Sequence, residues 1–474
     1  MSVITYDSFL DWRPARRGLR GACRGYGDSS ILAYWELLTG DDGLLKSLTM
    51  SGVGPAPEMS IEFAPRVNAL TGDNGLGKSF LLDMAWCALT STWARGIIAS
   101  PRRNAAAASL GYRQFGVEAD SIREFSRERY QWTPSTSLRP WSIVIYAGVD
   151  GNFLVRDPAR VQSNLVLSTL TAEPEMAKVF DLTAEQVWKG KTGERGVSYC
   201  NGLIQDWVSW QKSGDPAFGE LERVLSALSP SSAEKLSPGQ PVHLDLVDET
   251  EYPTIRTSDG EDVPLVHASA GIRRIAALAY VLVWTWKGHM RASTQRGQTA
   301  TVNIVFLVDE VESHLHPQWQ RGVVPALLNV MSAMKLDSEV AVQLILATHS
   351  PLVLASMESF FDTEKDALFH LDLRDGVAVL EKLEWAKQGD ATNWLVSESF
   401  GLKQARSLEA ETAIEAAEEF MRSEGSRTRT EIDEELRRVL AGHDDFWPRW
   451  VVATHPELAG PKAQRRCCGL IAEG

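Results

Sequence analysis

The chain has 474 residues, of which 44% are hydrophobic and 23% are charged, and its formal net charge is −14. This composition is typical of a folded protein with a sizeable core, and the length allows two or three domains or one large domain with insertions. The negative charge argues against a protein that binds DNA over much of its surface, because contacts with phosphates dominate such binding.

A cytoplasmic location without membrane insertion is expected from three features. Residues 1–20 are polar and contain several arginines, which is unlike a signal peptide. The longest apolar run, from Ile275 to Trp286, is shorter than the roughly 20 residues that a membrane helix needs, so it predicts a buried helix. The five cysteines form no paired CxxC motifs, which argues against a zinc site, and their small number favours a reducing compartment.

Two clusters of arginines lie in the first part of the sequence. The first cluster consists of Arg13, Arg16, Arg17, Arg20 and Arg24, and the second consists of Arg95, Arg102, Arg103, Arg113, Arg123, Arg127 and Arg129. Each cluster indicates either a solvated face or a local basic groove that contacts nucleic acid.

A glycine-rich loop lies between a predicted buried strand, "RVNALT", and a predicted helix, "FLLDMAWCAL". Its residues fit the pattern G-x-x-x-x-G-K-[ST] and are Gly72, Asp73, Asn74, Gly75, Leu76, Gly77, Lys78 and Ser79. Backbone N–H groups of such a loop and of the helix N-terminus surround phosphate groups. We therefore predict an ATP site that also includes Phe80, with Lys78 on the β- and γ-phosphates and Ser79 on Mg²⁺.

A pair of carboxylates follows a second predicted strand in "NIVFLVDEVESHLHP". The run from Asn303 to Val308 is apolar and β-branched, as in a strand that is buried on both faces. Acidic residues at the carboxyl end of such a strand lie at the nucleotide edge of a parallel sheet. We predict that Asp309 binds Mg²⁺, directly or through water, and that Glu310 orients and deprotonates the attacking water.

Two further motifs complete the candidate site. In "QLILATHSPLVLAS", His349 follows a predicted buried strand from Gln343 to Ala347, where it would contact the γ-phosphate and the attacking water. In "HASAGIRRIAALAYVLVW", the residues Ser269 and Gly271 lie at the start of a long apolar helix, which Ser269 is suited to cap.

Together, the four motifs resemble those of the ATP-binding-cassette (ABC) ATPases of the SMC, RecF and overcoming-lysogenization-defect (OLD) kind. The stretch from Leu45 to Ser79 resembles the N-terminal hairpin and Walker A loop of this family. "SAGIRR" resembles its signature motif, which usually begins Leu-Ser or Ser-Ser and here reads Ala268-Ser269. "VDEVESHLHPQWQ" resembles the Walker B strand with the catalytic glutamate and D-loop, and "ATHSP" resembles the switch-histidine loop.

The resemblance implies an α/β fold, namely a P-loop NTPase head with a mostly parallel sheet and an antiparallel subdomain. A helical or mixed lid insertion and a C-terminal helical extension would be added to this head. The expected parts are an N-terminal extension (1–44), a lobe with Walker A (45–100), a lid (101–250), a lobe with the signature, Walker B and switch histidine (251–388), a C-terminal helical region (389–460) and a tail (461–474).

The resemblance also implies that two heads enclose two ATP molecules. Ser269 and Gly271 of one head would then contact the γ-phosphate held by Lys78 of the other, and hydrolysis would separate the heads. This family also has a Q-loop glutamine, for which Gln114 and Gln162 are both candidates.

Aromatic residues outside these motifs leave alternatives open. Trp207 and Trp210, three residues apart on a predicted helix of the lid, are expected to be core or partner contacts rather than platforms for stacking bases. Phe446, Trp447 and Trp450 follow two charged C-terminal helices, which form either a solvated helical hairpin packed on the head or a docking platform with these aromatics as anchors.

Two functions agree with these patterns. The compact lid and C-terminal helices resemble the ATPase subunits of bacterial anti-phage systems such as Septu, which implies a homodimer or larger assembly that regulates a separate effector such as a nuclease. The chain itself lacks the Glu and Asp-x-Asp strands of a Toprim nuclease after Gly389, so we expect no nuclease activity. The alternative is a RecF-like ATPase in DNA repair or DNA scanning, which the arginine cluster from Arg95 to Arg129 favours.

Overall fold

The computed structural model describes residues 43–117, 119–133, 142–160, 179–193, 196–230, 234–257, 260–301, 303–333 and 340–454. The first arginine cluster, Gln162 and the expected tail lie outside these residues. None of the helices within the described ranges has the length and hydrophobicity needed to cross a membrane.

The described residues form both strands and helices, and several of the strands follow one another without a helix between them. The strands are β1 (Leu45–Ser51), β2 (Glu58–Glu62), β3 (Val67–Gly72), β4 (Ser109–Gln114), β5 (Ser121–Ser126), β6 (Gln131–Trp132), β7 (Ser142–Ala147), β8 (Phe153–Arg156), β9 (Phe180–Leu182), β10 (Lys191–Thr192), β11 (Ser198–Cys200), β12 (Ser237–Pro238), β13 (Val242–His243), β14 (Glu251–Tyr252), β15 (Thr254–Arg256), β16 (Asp262–Pro264), β17 (Asn303–Val308), β18 (Ala341–Ala347), β19 (Asp366–Arg374) and β20 (Val377–Leu383). The α-helices are α1 (Lys78–Thr90), α2 (Ala184–Lys189), α3 (Leu203–Ser213), α4 (Pro216–Ala227), α5 (Ala270–Arg296), α6 (Pro317–Gln320), α7 (Val323–Ala333), α8 (Pro351–Met357), α9 (Ala391–Leu395), α10 (Leu408–Met421), α11 (Arg429–Val439) and α12 (Phe446–Thr454).

An eight-stranded sheet with the order β20-β19-β3-β18-β17-β7-β8-β9 forms the centre of the head. Its inner strands β19, β3, β18, β17 and β7 are parallel, and antiparallel strands close both edges. Every residue of β17 and β7 is buried, as expected for parallel strands covered on both faces. The predicted α/β head with a mostly parallel sheet is therefore confirmed.

A second, five-stranded sheet with the order β2-β1-β4-β5-β6 is antiparallel and lies against the phosphate-loop helix α1. It is the antiparallel subdomain expected from the resemblance. Strands from the segment 109–182, which we assigned to the lid, belong to this sheet and to the central one. The expected lid boundary at residue 101 therefore differs from the sheet topology, because that position precedes six strands of the head.

The lid consists of helices α2, α3 and α4 and the short strands β10 to β16. Its helices pack on α5, the long helix that follows the signature residues. Trp207 and Trp210 are 0% and 6% exposed in this core, so they serve packing, as expected. Two polar contacts also join the lid to α5, from Tyr280 Oη to Asp206 Oδ2 (2.8 Å) and from Lys287 Nζ to Asp215 Oδ2 (2.5 Å).

The C-terminal helices α10, α11 and α12 form a small unit with its own core. Phe446 and Trp450 are 3% and 1% exposed within it, and Trp450 Nε1 donates to Asp433 Oδ1 at 3.0 Å. The interpretation of these two residues as exposed docking anchors is therefore wrong, because they fill the apolar interior between the three helices. Trp447 is partly buried against the same core.

Candidate nucleotide site

The glycine loop adopts a backbone that side chains at two positions would disrupt. Gly72, the last residue of β3, has φ +124°, and a Cβ atom there would lie 2.1 Å from the carbonyl oxygen of Leu371. Gly77 precedes α1 with φ +104°, and a Cβ there would lie 2.7 Å from Cγ of Pro55. Glycine is required at both positions because it tolerates positive φ and close backbone approach. The loop therefore presents the N-terminus of α1, where anions are stabilised.

Lys78 is the first residue of α1 and is buried. Its ammonium group donates to the carbonyl oxygens of Gly72 at 2.7 Å and Asp73 at 2.8 Å. An ammonium group has three donors, and the third has no acceptor among the described residues. Burial lowers the pKa of Lys78, while Asp73, Asp309 and Glu310 oppose this effect. The Lys78 ammonium group thus has a free donor at the N-terminal end of α1, where it is suited to bind phosphate oxygens.

Ser79 and Asp309 are 230 residues apart in sequence and meet directly, since Ser79 Oγ donates to Asp309 Oδ1 at 3.0 Å. Asp309 is 3% exposed at the end of β17. Burial raises the pKa of this carboxyl group, and the hydrogen bond from Ser79 lowers it. Mg²⁺ prefers oxygen ligands of these two types. The pair therefore fits a magnesium ion, with phosphate and water oxygens as its other ligands.

Among the described residues, no group of three or more His, Cys, Asp or Glu side chains could hold a metal ion. A metal at the Ser79–Asp309 pair would thus depend on oxygens from a bound ligand and from water. This is the usual mode for Mg²⁺, which binds to one or two carboxylates and to substrate phosphates.

Glu310 follows Asp309 with φ +47°, a conformation that side-chain-bearing residues rarely adopt. Its backbone is held by Arg274 of α5, which donates to the carbonyl oxygens of Val149 (2.9 Å), Asp309 (3.3 Å) and Glu310 (3.2 Å). Strained backbone of this kind persists only where the surroundings hold it in place. Arg274 thus fixes the turn that carries the predicted catalytic carboxylate.

His349 follows β18 and lies near the same charges. Burial lowers the pKa of His349 below the usual histidine value, and the positive charge of Lys78 adds to this effect, while Glu312, Glu310 and Asp309 oppose it. The imidazole is therefore neutral at pH 7, and its position among these groups places it in the same site as the phosphate loop.

Glu312 connects the turn after β17 to the loop that carries His349. Its carboxylate accepts hydrogen bonds from Thr348 Oγ1 at 2.7 Å and from the backbone N–H of His349 at 2.5 Å. A second link joins Ser350 Oγ to Gln320 Oε1 at 2.7 Å. Glu310 and Glu312 lie two residues apart in the turn after β17. Glu312 thereby holds the loop that carries His349 in position relative to Glu310.

The signature residues lie at the N-terminus of α5. Ser269 is exposed, and its Oγ accepts a hydrogen bond from Ile272 N at 3.3 Å, so the predicted cap is present. A Cβ atom at Gly271 would lie 2.9 Å from the carbonyl oxygen of His314, so this glycine allows α5 to approach the turn after Glu312. Neither residue forms a hydrogen bond with the phosphate loop within the described part of the chain.

The remaining predicted binding residues flank the loop. Asp73, Asn74 and Gly75 are exposed, and Leu76 is half-buried against the core under the antiparallel sheet. The ring of Phe80 covers Gly54, where a Cβ atom would lie 2.4 Å from the ring. These positions place the loop tip in solvent and Phe80 beside the connection between β1 and β2.

Of the two candidates for the Q-loop glutamine, Gln114 lies within the described residues. Gln114 lies at the end of β4, is 5% exposed, and donates from Nε2 to the carbonyl oxygen of Gly43 at 3.0 Å. This contact ties the end of β4 to the segment that leads into β1, so Gln114 has a structural role there. The strand beside Walker B, β7, is instead followed by Gly148, Val149 and Asp150, of which Val149 accepts the bond from Arg274.

The second arginine cluster is largely occupied with contacts inside the protein. Its internal partners are Asp83 for Arg95, the Gly54 carbonyl for Arg102, Asp120 for Arg113, the Thr133 carbonyl and Cys87 for Arg123, and the Ala105 carbonyl for Arg127. Arg103 and Arg129 are exposed and have no side-chain hydrogen bond among the described residues. The cluster therefore does not form a continuous free basic face.

Two side chains that hold parts of the candidate site together are not predicted from the sequence. Arg274 gave only a weak signal, namely a cation in the first turn of a helix, where it opposes the helix dipole and so suggests a specific partner. Glu312 gave no signal, because its partners Thr348 and His349 lie on another strand end.

Comparison with known proteins agrees with this site. Residues 190–355, about a third of the chain, match a family described as "AAA domain, putative AbiEii toxin, Type IV TA system". This range contains the signature residues, Walker B and His349, and it excludes the phosphate loop.

Two curated relatives share shorter segments. The Septu protein PtuA of Bacillus mycoides (strain KBAB4) is 29% identical over 134 residues, which cover 28% of this chain and 16% of the relative. The Retron Vc95 probable ATPase of Vibrio cholerae serotype O1 biovar El Tor is 42% identical over 55 residues, which cover 12% of this chain and 9% of the relative. The chain thus matches less than a fifth of the length of either protein.

Among solved structures, the SMC head domain from Thermotoga maritima is similar, with 17% identity and a TM-score of 0.36 over 72% of this chain and 100% of that one. The order of strands, the Ser79–Asp309 contact and the family match agree with an α/β ATPase head. Residues 190–355 match a model of AAA domains, and the motifs of the chain resemble those of SMC- and RecF-like ABC ATPases, including anti-phage ATPases.

Proposed function

We propose that this chain binds Mg-ATP at the phosphate loop and hydrolyses it to ADP and phosphate. The contact of 3.0 Å between Ser79 Oγ and Asp309 Oδ1 carries this proposal, because it joins the end of the loop to the end of the Walker B strand. Bound Mg-ATP would supply a phosphoanhydride whose γ-phosphate is polarised by the metal.

The chain's own residues would act around that phosphate. Lys78 would donate to its oxygens, and Ser79 and Asp309 would hold the metal. Glu310 would accept a proton from the attacking water, and His349, neutral at pH 7, would contact the water or the γ-phosphate. Arg274 would hold the backbone of Glu310 in place, and Glu312 would hold the loop that carries His349, through their hydrogen bonds.

We further propose that two copies of the chain close on ATP, with Ser269 and Gly271 acting on the nucleotide of the other copy. The exposure of Ser269, and its lack of a hydrogen bond to the loop in its own chain, support this arrangement. ATP would then act as a ligand that favours the closed pair, and hydrolysis would release it.

A mixing experiment tests the shared site. Ser269→Arg and Glu310→Gln chains should each be inactive alone, because each closed pair of identical chains lacks either a signature or a base. Mixed pairs hold one site with Glu310 from one chain and Ser269 from the other, so mixing should restore phosphate release. If the mixture stays as inactive as its components, sites shared between copies are ruled out.

We propose that the ATPase regulates a separate effector, such as a nuclease, in an anti-phage defence module, and that it has no nuclease activity of its own. Similarity to the Septu protein PtuA and to a retron ATPase supports this role. The test is affinity capture of tagged Glu310→Gln chain from its native host with Mg-ATP, followed by mass spectrometry. A nuclease in constant ratio to the bait supports the proposal, whereas capture of the chain with DNA alone supports the RecF-like alternative.

A further inference from the structure

A cavity of about 700 Å³ lies between the lid and the first turn of α5. Helices α2 and α3 form one side, the β13–β14 hairpin forms another, and Val266 and Arg273 close it beside the signature residues. Its volume is in the range of small-molecule binding sites. Neither the proposed hydrolysis nor the proposed pairing of heads uses this cavity.

Two polar side chains in the cavity wall are free. Gln205 and Arg273 are exposed and have no hydrogen bond or ion pair among the described residues. Other polar groups of the wall are already used, since Lys189 pairs with Glu185 at 2.9 Å and Asn201 Nδ2 donates to Asp206 at 2.9 Å. The cavity therefore offers one unpaired guanidinium and one unpaired amide to a ligand.

Aromatic and aliphatic side chains form the rest of the wall. Trp188 and Tyr252 are both half-buried and line the cavity together with Ile204 and Leu244. The hydroxyl of Tyr252 donates to Asp248 at 3.1 Å, which holds the ring in place at the hairpin. Exposed aromatic faces bind planar bases of any kind, and an amide side chain can pair with a base edge.

We propose that this lid cavity binds a nucleotide with a single phosphate, distinct from the ATP at the phosphate loop. The base would stack on Trp188 or Tyr252, Gln205 would bond its edge, and Arg273 would receive the phosphate. A guanidinium forms strong charge-assisted hydrogen bonds with phosphate oxygens. This assignment accounts for the presence of Arg273, which has no counter-ion among the described residues, beside Trp188 and Tyr252 in a chain with a net negative charge.

The position of the cavity links it to the signature motif. Arg273 lies in the first turn of α5, the turn that begins at Ser269 and contains Gly271. A ligand held by Arg273 would thus alter how the signature is presented to the other head, and this regulatory step rests on the proposed function. Binding itself does not depend on the proposed function and can be measured separately.

The binding test uses full-length Lys78→Ala chain, in which the phosphate loop no longer holds ATP. Fluorescent N-methylanthraniloyl-AMP is titrated and followed by energy transfer from tryptophan. We expect saturable binding at one site per chain, and about tenfold or greater loss of affinity when Arg273→Ala or Gln205→Ala is added. Both residues are exposed, so these variants should fold, as circular dichroism would verify.

Arg296→Ala, at the exposed opposite end of α5, is the matched control and should bind as tightly as the parent. Unlabelled AMP should displace the probe and adenosine should not. If 5′-phosphorylated oligothymidylate displaces the probe and AMP does not, the natural ligand of the cavity is the phosphorylated end of a nucleic acid. Absence of saturable binding, or binding that Arg273→Ala and Gln205→Ala leave unchanged, would overturn the proposal, whatever the outcome of ATPase assays.

Discussion

Removal of the Glu312 carboxylate should slow ATP turnover without weakening ATP binding. The carboxylate accepts two hydrogen bonds, from Thr348 Oγ1 at 2.7 Å and from His349 N at 2.5 Å. Each hydrogen bond to an ionised group contributes about 1.5–3 kcal/mol, and partial exposure of Glu312 to water favours the lower value. The two bonds together thus stabilise the histidine loop by about 3 kcal/mol.

This energy sets the expected rates. In Glu312→Ala both bonds are lost, which corresponds to about a hundredfold lower population of the positioned loop and a similar fall in turnover. In Glu312→Gln the amide oxygen still accepts one bond, so the fall should be about tenfold. Thr348→Val removes one donor and should resemble the glutamine variant.

The assay is steady-state phosphate release with saturating Mg-ATP, together with a separate measurement of ATP affinity by calorimetry. Glu384→Gln is the matched control, because this glutamate is exposed and has no hydrogen bond among the described residues. Turnover by Glu312→Ala at the wild-type rate would refute the positioning role. A loss of ATP affinity that accounts for the whole decrease would refute it equally.

Four other outcomes follow from the structure. Lys78→Ala should lose ATP binding, as measured by calorimetry, because the ammonium group at the start of α1 is removed; full affinity would contradict the assignment of the loop. Ser269→Arg alone should still bind ATP but release little phosphate, whereas normal turnover would exclude a role for the signature. Because burial and Lys78 lower the pKa of His349, turnover should fall by clearly less than about 1.8-fold between pH 7.5 and pH 6.5. A histidine with the usual pKa of about 6.5 would be half protonated at pH 6.5 and would give that fall of about 1.8-fold. The folded chain binds fewer protons at His349 than the unfolded chain, so this group favours folding more as the pH rises. A midpoint of activity near pH 6.5 would show that the pKa of His349 is not lowered. Trp450→Ala should destabilise the C-terminal helices by about 3–5 kcal/mol in thermal unfolding while phosphate release persists, since their core is separate from the head; retained stability would contradict its role in that core.

Motifs with strong local constraints were predictable from sequence. The apolar run from Asn303 to Val308 is strand β17 with the expected bounds, and Asp309 lies at its end. The loop from Gly72 to Ser79 lies between a strand and a helix as its pattern requires. Such motifs can be predicted because burial of a strand and the requirement for glycine both constrain residues that are neighbours in the sequence.

Contacts between distant segments were not predictable in the same way. A single sequence does not show that Glu312 accepts hydrogen bonds from the Thr348–His349 loop, or that Arg274 holds the carbonyl groups of the Walker B turn. Arginines that are near one another in sequence suggested a basic face, yet Arg123 points into the core and donates to Cys87. The spacing of arginines along the sequence does not show which of their side chains face the core and which face solvent.

The C-terminal aromatics show a similar limit. Phe446 and Trp450 follow helices with modest apolar stripes, so a solvated hairpin and a docking platform were both compatible with the sequence. In the structure these residues belong to a third helix, whose apolar side completes the core of the unit. The docking interpretation failed because the last helix was not recognised as an element.

The proposed role of Glu310 as the general base of ATP hydrolysis is tested most directly by comparing the wild-type chain with Glu310→Gln in ATP binding and in phosphate release. If Glu310 has this role, both chains should bind Mg-ATP with similar affinity, and Glu310→Gln should release phosphate at least a hundredfold more slowly than the wild type, as expected for loss of a general base. Equal phosphate release by the two chains, or no Mg-ATP binding by the wild type, would contradict this role.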